Sequence, residues 1–501
     1  MTTFLIGILI LVIGGALYGK FCEKIFGPDD RVTPAIAMAD GVDYVSMPKW
    51  KNSLINLLNI AGTGPIIGPI QGILFGPIAF ITIPIGCVLG GAMHDYFSGM
   101  ISMRNEGAQM PKLIGKYLGG KIHSVYNIVV WFLMLLVGVV FVYTPGDIVV
   151  SELIKQKTSI DNPTVWIVYG CIFLYYLIAT LFPIDQIIGR IYPIFGAILV
   201  FSSLGIFGGV ILDGGKNLQN LNFGLLNQYP GGKTPIIPIF FITVACGILS
   251  GFHATQTTLI SRTVTHEKEG RTTFFNMMLV EGFIAMAWAA GALVLFSRGL
   301  DMETGAVLVI GKVSREFLGN IGGFFAILGV VVLPITSGDT AFRGLRLMLA
   351  ERFNIDQKPY NKRLAITAGI FIPAMLILYY AKSSPTGFTT LWRYFAFTNQ
   401  GIATFALSME TVYLYVHGKK YLIALLPGMF YTFVVTSYIL HAKIGLNLDS
   451  LLGIPDSYMY SYLVAGIVVV LYGFATMKHA RAKKDDGLDL EEFDTKANKK
   501  A

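Results

Sequence analysis

The chain has 501 residues, of which 54% are hydrophobic and only 14% are charged. No soluble fold of this size has that balance, and the apolar residues come in runs of about 18–25, the length that crosses a hydrocarbon core of roughly 30 Å. The net charge of +8 lies in the loops between these runs, which indicates membrane orientation and does not suggest nucleic-acid binding. The composition therefore predicts an all-α polytopic membrane protein.

The apolar runs predict thirteen transmembrane helices. Their approximate ranges are 3–22, 52–76, 77–102, 123–145, 163–182, 187–212, 236–260, 273–297, 319–342, 363–381, 387–413, 421–441 and 459–477. With the N-terminus outside, the predicted inner segments carry 28 of the 38 Lys and Arg residues, which predicts an N-out, C-in topology. The first run lacks a basic leader region and a cleavage site, so it is predicted to be a retained span.

The second predicted span is interrupted, because three glycines and two prolines lie within residues 62–69. Irregular backbone at membrane depth is expected only where it is buried in protein or lines a wet cavity. A broken span of this kind indicates the binding site of a transporter. We expect this first break to supply substrate contacts from Asn59, Ala61, Gly62, Thr63, Gly64 and Gly68.

The third predicted span ends in a polar pair, His94 and Asp95, after two glycines. Histidine changes charge near neutral pH, so the pair is a candidate proton relay; a hydrogen bond between packed helices is the structural alternative. Adjacent residues of a helix point in different directions, so the two side chains are not expected to pair with each other.

The seventh predicted span carries a second break, in which glycines precede a polar cluster. Its candidate substrate ligands are Gly247, Ser250, Gly251, His253 and Gln256. These donors suit a small carboxylate, although His253 alone is also compatible with a satisfied core histidine. Glu281, in the middle of the eighth span, is either a proton site or a structural partner of this break.

The two breaks lie five spans apart and run in opposite directions, which predicts an inverted repeat. The repeats are placed at residues 52–212 and 236–413. Residues 1–51 form an additional N-terminal helix and inner loop, and residues 414–477 form two further helices. The polar tail at 478–501 is expected to be disordered in the cytoplasm.

The ninth predicted span ends in a cluster of oxygen-bearing side chains: Thr336, Ser337, Asp339 and Thr340. Hydroxyl oxygens, together with backbone carbonyls near Ala61, would suit a bound Na⁺, and the carboxylate would suit a proton. Hydrogen bonding within the helix is the alternative for the hydroxyls, and Arg343 is placed to pair with the carboxylate. Glu410, near the inner end of the eleventh span, is interpreted as an interface residue.

Two connections are predicted to be helical, an inner one at 110–120 and an outer one at 302–319, the latter over a vestibule. The four cysteines lie in or beside apolar spans and form no CxxC pair, so they are predicted to be reduced core residues. Motifs for nucleotide binding or hydrolysis are absent from the sequence, which argues against an enzyme and against a cofactor other than a possible Na⁺.

Several segments together resemble the carbon starvation protein A (CstA) family. The segments that carry the resemblance are Gly27-Pro28-Asp29-Asp30-Arg31-Val32-Thr33-Pro34-Ala35, Asp43-Tyr44-Val45, 59–69, 91–96 and 336–341. The resemblance covers most of the chain, although this chain is shorter than the longest family members.

The resemblance implies a bacterial inner-membrane uptake system that is induced in carbon starvation and imports peptides or pyruvate, coupled to protons. It also implies the five-plus-five inverted fold of the leucine transporter LeuT. In that fold, the first helices of both repeats hold substrate, and a Na⁺ site joins the first to the eighth core helix. That helix is the ninth span here, with Thr336 and Ser337.

These observations predict a secondary transporter that imports a small carboxylate nutrient by alternating access. The alternative is a membrane-embedded starvation sensor that binds the ligand without translocating it; a channel is a weaker third option. The expected partners are the lipid bilayer and a small-molecule substrate. The choice between pyruvate and peptide, and between H⁺ and Na⁺, stays open at this point.

Overall fold

The computed structural model describes residues 1–41, 43–181, 185–213, 215–230, 232, 234–301, 305–356, 359–485 and 487. Within these residues every regular element is helical, apart from single bridges between Met47 and Val264 and between Asn222 and Leu225. The expected disordered tail beyond residue 487 and the first residues of the outer connection, 302–304, lie outside the described residues.

The helices of the first half follow the predicted spans in order. They are α1 (Thr2–Phe26), α2 (Lys49–Ile60), α3 (Gly64–Phe75), α4 (Ala79–Met103), α5 (Met110–Leu118), α6 (Gly120–Leu153), α7 (Pro163–Leu181) and α8 (Asp185–Leu212). Helix α5 is the predicted inner connection, and its buried residues include Leu113, Ile114 and Tyr117.

The second half begins with short helical pieces, including Phe241–Thr243 and Ala245–Ile248. The longer helices after them are α9 (Gly251–Ile260), α10 (Glu267–Ser297), α11 (Ala306–Arg352), α12 (Tyr360–Ser383), α13 (Gly387–Val416), α14 (Leu422–His441) and α15 (Met459–Asp485). Gly319 divides α11, because its φ of 67° is left-handed. The part before Gly319 is the predicted outer connection.

Nine helices in the described chain are long and apolar enough to cross a membrane, or ten if the bent pair α2–α3 counts as one span. The other three predicted spans correspond to helices that fall short of this test. Helix α7 is short in its described apolar part, and the seventh span is broken into pieces. Helix α13 buries polar side chains along its length, among them Asn399, Gln400 and Glu410. The protein is therefore a multi-pass helical membrane protein.

The predicted inner loops meet at one end of the bundle, which we call the inner end. There the residue 27–48 segment contacts residues 104–106 and 263–267, as in the hydrogen bonds from Tyr44 Oη to the Glu106 carbonyl and from Thr33 Oγ1 to the Thr265 carbonyl. The predicted outer loops meet at the opposite end, where Arg298 pairs with both Asp213 and Glu316.

Helix α10 forms the centre of the bundle, and α1 lies at its edge. In the most apolar stretch of α10, 78% of residues are buried inside the protein, against 28% for α1. Helix α1 instead exposes Leu9, Val12, Ile13 and Leu17, which are suited to contact with lipid. The acid that α10 carries in its middle, Glu281, is therefore held inside protein and not at the lipid surface.

Two expectations from the sequence are wrong: the burial of Cys171 and the position at which the last helix ends. Cys171 is exposed on α7, whereas Cys22, Cys87 and Cys246 are buried and free as predicted. Helix α15 continues to Asp485, into the segment expected to be disordered. Lys483 and Lys484 lie in its last turn, where a positive charge is stabilised by the partial negative charge of the helix C-terminus.

Candidate functional site

The first break joins α2 and α3 at a bend of 52°. Ala61, with φ −82° and ψ 64°, leaves the helix, and Thr63 begins the next one. Pro65 lies in the first turn of α3, where its missing N–H costs nothing. The hydroxyl of Thr63 is fully buried and has no hydrogen-bond partner in the described chain, so it is available to a ligand.

The second break is held open by an amide from another helix. Leu249 and Ser250 are extended, and α9 then begins at Gly251. Asn399 Oδ1, on α13, accepts hydrogen bonds from Phe252 N at 2.8 Å and from Ser250 Oγ at 3.1 Å. Asn399 therefore supplies the capping hydrogen bond that the side chain of Ser250, the N-cap residue of α9, does not make. The sequence analysis missed it, although an Asn-Gln pair within an apolar span was a visible signal.

The two breaks pack directly on each other through their glycines. A Cβ added at Gly64 would lie 2.5 Å from Cβ of Cys246, and one at Gly68 would lie 2.9 Å from the carbonyl oxygen of Thr243. A Cβ at Gly247 would approach Pro69 to 3.4 Å. The structure thus brings the backbone residues predicted for the substrate site together at the crossing of the broken helices.

Behind the second break lies a row of buried imidazoles and carboxylates. His94 Nδ1 is 2.9 Å from Asp95 Oδ1, and His253 Nδ1 is 3.2 Å from Asp95 Oδ2. The other nitrogen of the same ring, His253 Nε2, is 3.5 Å from Glu281 Oε2. All four side chains are at most 1% exposed. One histidine therefore bridges two acids that come from α4 and α10.

A close approach of α4 to the second break makes this row possible. A Cβ at Gly91 would lie 2.3 Å from the carbonyl oxygen of Ile248, so only glycine lets the two backbones touch there. Asp95 follows one turn later and reaches α9. The expectation that His94 and Asp95 do not pair is wrong, because a side-chain rotation brings the ring back over its neighbour's carboxylate.

The row suits proton transfer better than metal binding. An imidazole can take a proton at one nitrogen and release one from the other, and His253 presents each nitrogen to a different acid. Within the described residues, no group of three or more His, Cys, Asp or Glu side chains is arranged to hold a metal ion.

Glu410 is a further buried acid, and its interpretation as an interface residue is wrong. The side chain is fully buried, because α13 packs against α4 at this level. Its Oε1 accepts a hydrogen bond from Ser98 Oγ at 2.8 Å, and Ser98 lies one turn after Asp95 on α4. Its Oε2 has no hydrogen-bond partner among the described residues.

The cluster on α11 is mostly satisfied within its own helix. Thr336 and Thr340 donate to the carbonyl oxygens of Leu333 and Thr336. Arg343 Nη2 lies 3.2 Å from Asp339 Oδ2, the pairing expected from their spacing. The hydroxyl of Ser337 is buried without a hydrogen-bond partner in the described chain.

Phe141, on α6, lies between this cluster and the first break. Its ring would be 3.1 Å from a Cβ at Gly62, and its own Cβ would be 3.2 Å from a Cβ at Gly338. The proposed Na⁺ ligands of the two helices, Ala61 on one side and Thr336 and Ser337 on the other, therefore belong to segments that pack on the same side chain.

One predicted ligand is hydrogen-bonded within its own helix, and a second is not fully buried. Gln256 Nε2 donates to Thr255 Oγ1 on its own helix, and that hydroxyl donates to the Phe252 carbonyl. Asn59 is only half-buried, unlike the other polar residue of the first break, Thr63.

An ion pair that the sequence analysis did not identify lies between α6 and α12. Lys382 Nζ contacts both carboxylate oxygens of Asp147, at 2.8 and 2.7 Å, and Tyr169 Oη donates to the same carboxylate at 2.6 Å. Lys382 also lies over the Tyr143 ring, which stacks on Phe388.

At the inner end, a clamp of charged residues joins three segments. Arg104 binds Glu267 through two hydrogen bonds, at 2.8 and 2.9 Å, and also donates to the Gly27 carbonyl. Asp29 accepts from Arg31 nearby, and the hydrogen bond from that guanidinium lowers the pKa of the Asp29 carboxyl to about 2. Asp29 is therefore charged at any physiological pH.

A known protein family matches the segments that contain these sites. The model of the family described as carbon starvation protein CstA matches residues 1–169, 139–316 and 301–438. The chain belongs to this family. The match includes both breaks and the buried row of His94, Asp95, His253 and Glu281.

Curated relatives agree with the assignment. The chain is 42% identical to an uncharacterized membrane protein of Haemophilus influenzae, over 59% of this chain and 91% of that one. It is 24% identical to the peptide transporter CstA of Bacillus subtilis, over 98% and 99% of the two chains. It is 25% identical to the pyruvate/proton symporter BtsT of Escherichia coli, over 53% of this chain and 45% of the symporter.

The fold also resembles that of a solved transporter. A crystal structure of the Eremococcus coleocola manganese transporter, in complex with an aromatic bis-isothiourea substituted compound, superposes with a TM-score of 0.58. The superposition covers 89% of this chain and 99% of that one at 12% sequence identity, so the likeness concerns the fold alone.

Proposed function

We propose that this CstA-family protein is a secondary active transporter that imports a small carboxylate nutrient, pyruvate or a short peptide, together with a proton. The observation that carries the proposal is His253, which lies at the start of α9 and bridges Asp95 and Glu281. Because His253 is part of the broken helix, a change in the protonation of this row can be coupled to a movement of that helix. The relatives named as a peptide transporter and a pyruvate/proton symporter support this substrate class.

In the proposed cycle, substrate binds where the two breaks cross. The buried Thr63 hydroxyl and the helix N-termini at the breaks would receive the carboxylate. Because the glycines of the two breaks touch, the broken helices separate to admit the substrate, and rocking of one bundle exposes it to each side in turn. We further propose thirteen spans, a LeuT-like five-plus-five repeat, and an N-out, C-in topology in the bacterial inner membrane.

Proton movement follows from the two nitrogens of His253. When Glu281 holds a proton, it donates toward Nε2, and Nδ1–H donates to Asp95. Transfer through the ring moves the proton from α10 to α4 and changes the charge beside the second break. A Na⁺ near Ala61, Thr336 and Ser337 is the alternative coupling ion, and Asp339 is an alternative proton carrier whose charge Arg343 already compensates.

The test is uptake by the purified protein in proteoliposomes. Labelled pyruvate and labelled dialanine are supplied with and without an inward proton gradient and Na⁺. We expect accumulation driven by the proton gradient for at least one of the two substrates. Asp95→Asn should reduce gradient-driven accumulation by at least about a hundredfold, the scale on which a positioned acid or base matters. The same measurement on Asp339→Asn compares Asp95 with the alternative proton carrier.

A second outcome favours a different function. A starvation sensor binds ligand but accumulates nothing under any gradient. Saturable binding of pyruvate or dialanine without accumulation would therefore contradict the transporter and support the sensor. Accumulation that follows Na⁺ and ignores pH would move the coupling site to Thr336 and Ser337.

A further inference from the structure

The strongest feature outside the proposed substrate site is the carboxyl group of Glu410. It is fully buried on α13, and no cation approaches it within ion-pair distance in the described chain. A carboxylate in such surroundings is costly unless it is neutral or paired, and buried acids in membrane helices mark ion or proton pathways. These surroundings therefore favour the protonated, neutral form of Glu410 in this conformation.

We infer that Glu410 is a second proton-binding site, which receives the proton from the Asp95–His253 pair through Ser98 and delivers it to the inner side. The inference rests on the proposed proton coupling. It adds Glu410 to the proton path and gives the direction in which the proton leaves. It differs from the row at His253 because Glu410 lies on another helix, α13.

The connection from Asp95 to Glu410 runs along one face of α4. Asp95 and Ser98 are three residues apart, so they lie on the same side of the helix. The Ser98 hydroxyl donates to Glu410 Oε1 at 2.8 Å, so Oε1 is the oxygen that receives the proton from Ser98; the second oxygen, Oε2, has no hydrogen-bond partner among the described residues. Asp95 and Glu410 also interact electrostatically, so a proton on one affects the other.

The transfer conserves protons. Ser98 gives its hydroxyl proton to the ionised Glu410 carboxylate and takes one from the Asp95 side, so that one proton leaves the Asp95–His253 pair. When the inner end opens, Glu410 releases that proton to water and becomes ionised again. Other titratable groups that interact with Glu410 come from different helices: Cys22 on α1 and Tyr472 on α15.

The direction follows from the residues that come after Glu410. Tyr413 and His417 lie three and seven positions later, on the same face of α13. Their rings are in contact, with centroids 4.0 Å apart, and His417 ends the helix at the inner end, where it is half-buried. An imidazole is thus placed between the buried acid and the inner end of the bundle.

The experiment uses the full chain in proteoliposomes that contain a pH-sensitive dye. Two readouts are compared for pyruvate and for dialanine: substrate-driven proton entry, and exchange of labelled for unlabelled substrate at equal pH. Exchange needs the substrate site but no net proton movement. We expect Glu410→Gln to keep exchange within about twofold of wild type and to lose at least about a hundredfold of proton entry.

Three further variants sharpen the test. Glu410→Asp, which keeps the carboxyl, should restore part of the proton entry. Ser98→Ala should slow proton entry while leaving exchange intact, because it removes the hydroxyl through which the proton reaches Glu410, and exchange needs no net proton movement. Ser408→Ala is the matched control, since it removes a buried hydroxyl of the same helix that bonds Thr476 instead; it should behave as wild type.

The outcomes separate this inference from the proposed function. Wild-type proton entry in Glu410→Gln would overturn the role of Glu410 and leave proton coupling in place. Loss of exchange together with proton entry would also overturn it, because the residue would then be structural. Absence of substrate-driven proton entry in the wild-type protein would contradict the proposed coupling itself, and the role of Glu410 with it.

Discussion

At the first break, Gly64 has no room for any side chain. A Cβ there would lie 2.5 Å from both Cβ and Sγ of Cys246, and rotation of the cysteine side chain cannot relieve the contact with its Cβ. The contact joins the two broken helices at the point where they cross. A methyl group at this position must therefore push one broken helix away from the other.

Gly64→Ala is predicted to impair transport more than stability. Overpacking of this kind costs about 1–3 kcal/mol, and here the strain falls on the moving helices. The initial uptake rate in proteoliposomes and the thermal midpoint in detergent measure the two effects. Gly170→Ala is the control, because a Cβ at Gly170 meets nothing within 4 Å. Equal uptake by both variants would show that the crossing tolerates a wider separation.

Residue types at the site could be predicted from the sequence, whereas their partners could not. Acids and histidines at membrane depth are rare and costly, so Asp95, His253 and Glu281 were visible as candidates. Which of them meet depends on the rotation of helices far apart in the chain: Asp95 and His253 are 158 positions apart. For the same reason, Glu410 was misread and the cap from Asn399 was missed.

At the scale of helices, α6 and α12 are joined by a charge pair that has lost most of its hydration. Lys382 and Asp147 are only 4% and 8% exposed. Two aromatic rings, from Tyr143 and Tyr169, cover the ammonium group. The attraction of the pair offsets the cost of removing both charges from water, and each charge depends on the other.

Lys382→Met is predicted to destabilise the protein by about 3–5 kcal/mol, because it leaves the Asp147 carboxylate buried without a cation. The double variant Asp147→Asn/Lys382→Met should recover much of this loss. Thermal unfolding of both single variants and the double variant in detergent gives the coupling energy between the two positions. Additive effects in the double variant would mean that the ion pair contributes nothing to the packing of α6 against α12.

The first break was predictable at this scale, because its cause is local. Glycine and proline within 62–69 cannot sustain a helix, and the chain does leave the helix at Ala61. The second break shows the limit of this reasoning. Leu249 and Ser250 are extended although neither residue is a strong helix breaker, and the amide of Asn399 on α13 stabilises that conformation.

Over the whole molecule, the charge pattern predicted which loops lie at the same end of the bundle. It did not predict how the helices pack. The predicted inner segments meet at one end, as the bond from Tyr44 to Glu106 illustrates. Hydropathy identifies lipid-facing helices such as α1 well. It does not identify α13 as a span, because the polar residues of α13 are buried against other helices. The fold resembles that of the manganese transporter at only 12% sequence identity, so the likeness does not require many shared side chains.

The clamp at the inner end must open in any cycle that releases substrate inward. Glu267 accepts from Arg104 and also from the backbone N of Asp29, so it joins α4, α10 and the residue 27–33 segment. Ser102, two positions before Arg104 in the chain, is fully buried and bonded to Ser261. Loss of Glu267 removes the two short hydrogen bonds of the buried Arg104 guanidinium and leaves the longer contact with Asp29, at 3.7 Å, which favours conformations in which water reaches that guanidinium.

Glu267→Ala is therefore predicted to increase the population that is open at the inner end. A cysteine substituted for Ser102 in a background without other cysteines reports this opening, through its rate of labelling by a membrane-impermeant maleimide. We expect labelling to rise at least about tenfold, which corresponds to about 1.4 kcal/mol in the opening equilibrium. Lys268→Ala is the matched control: its pair with Asp30 is exposed, so it should contribute little and leave the rate unchanged. If both variants label at the same rate, the clamp does not hold the inner end closed, and closure depends on the apolar packing of α4 against α9 instead.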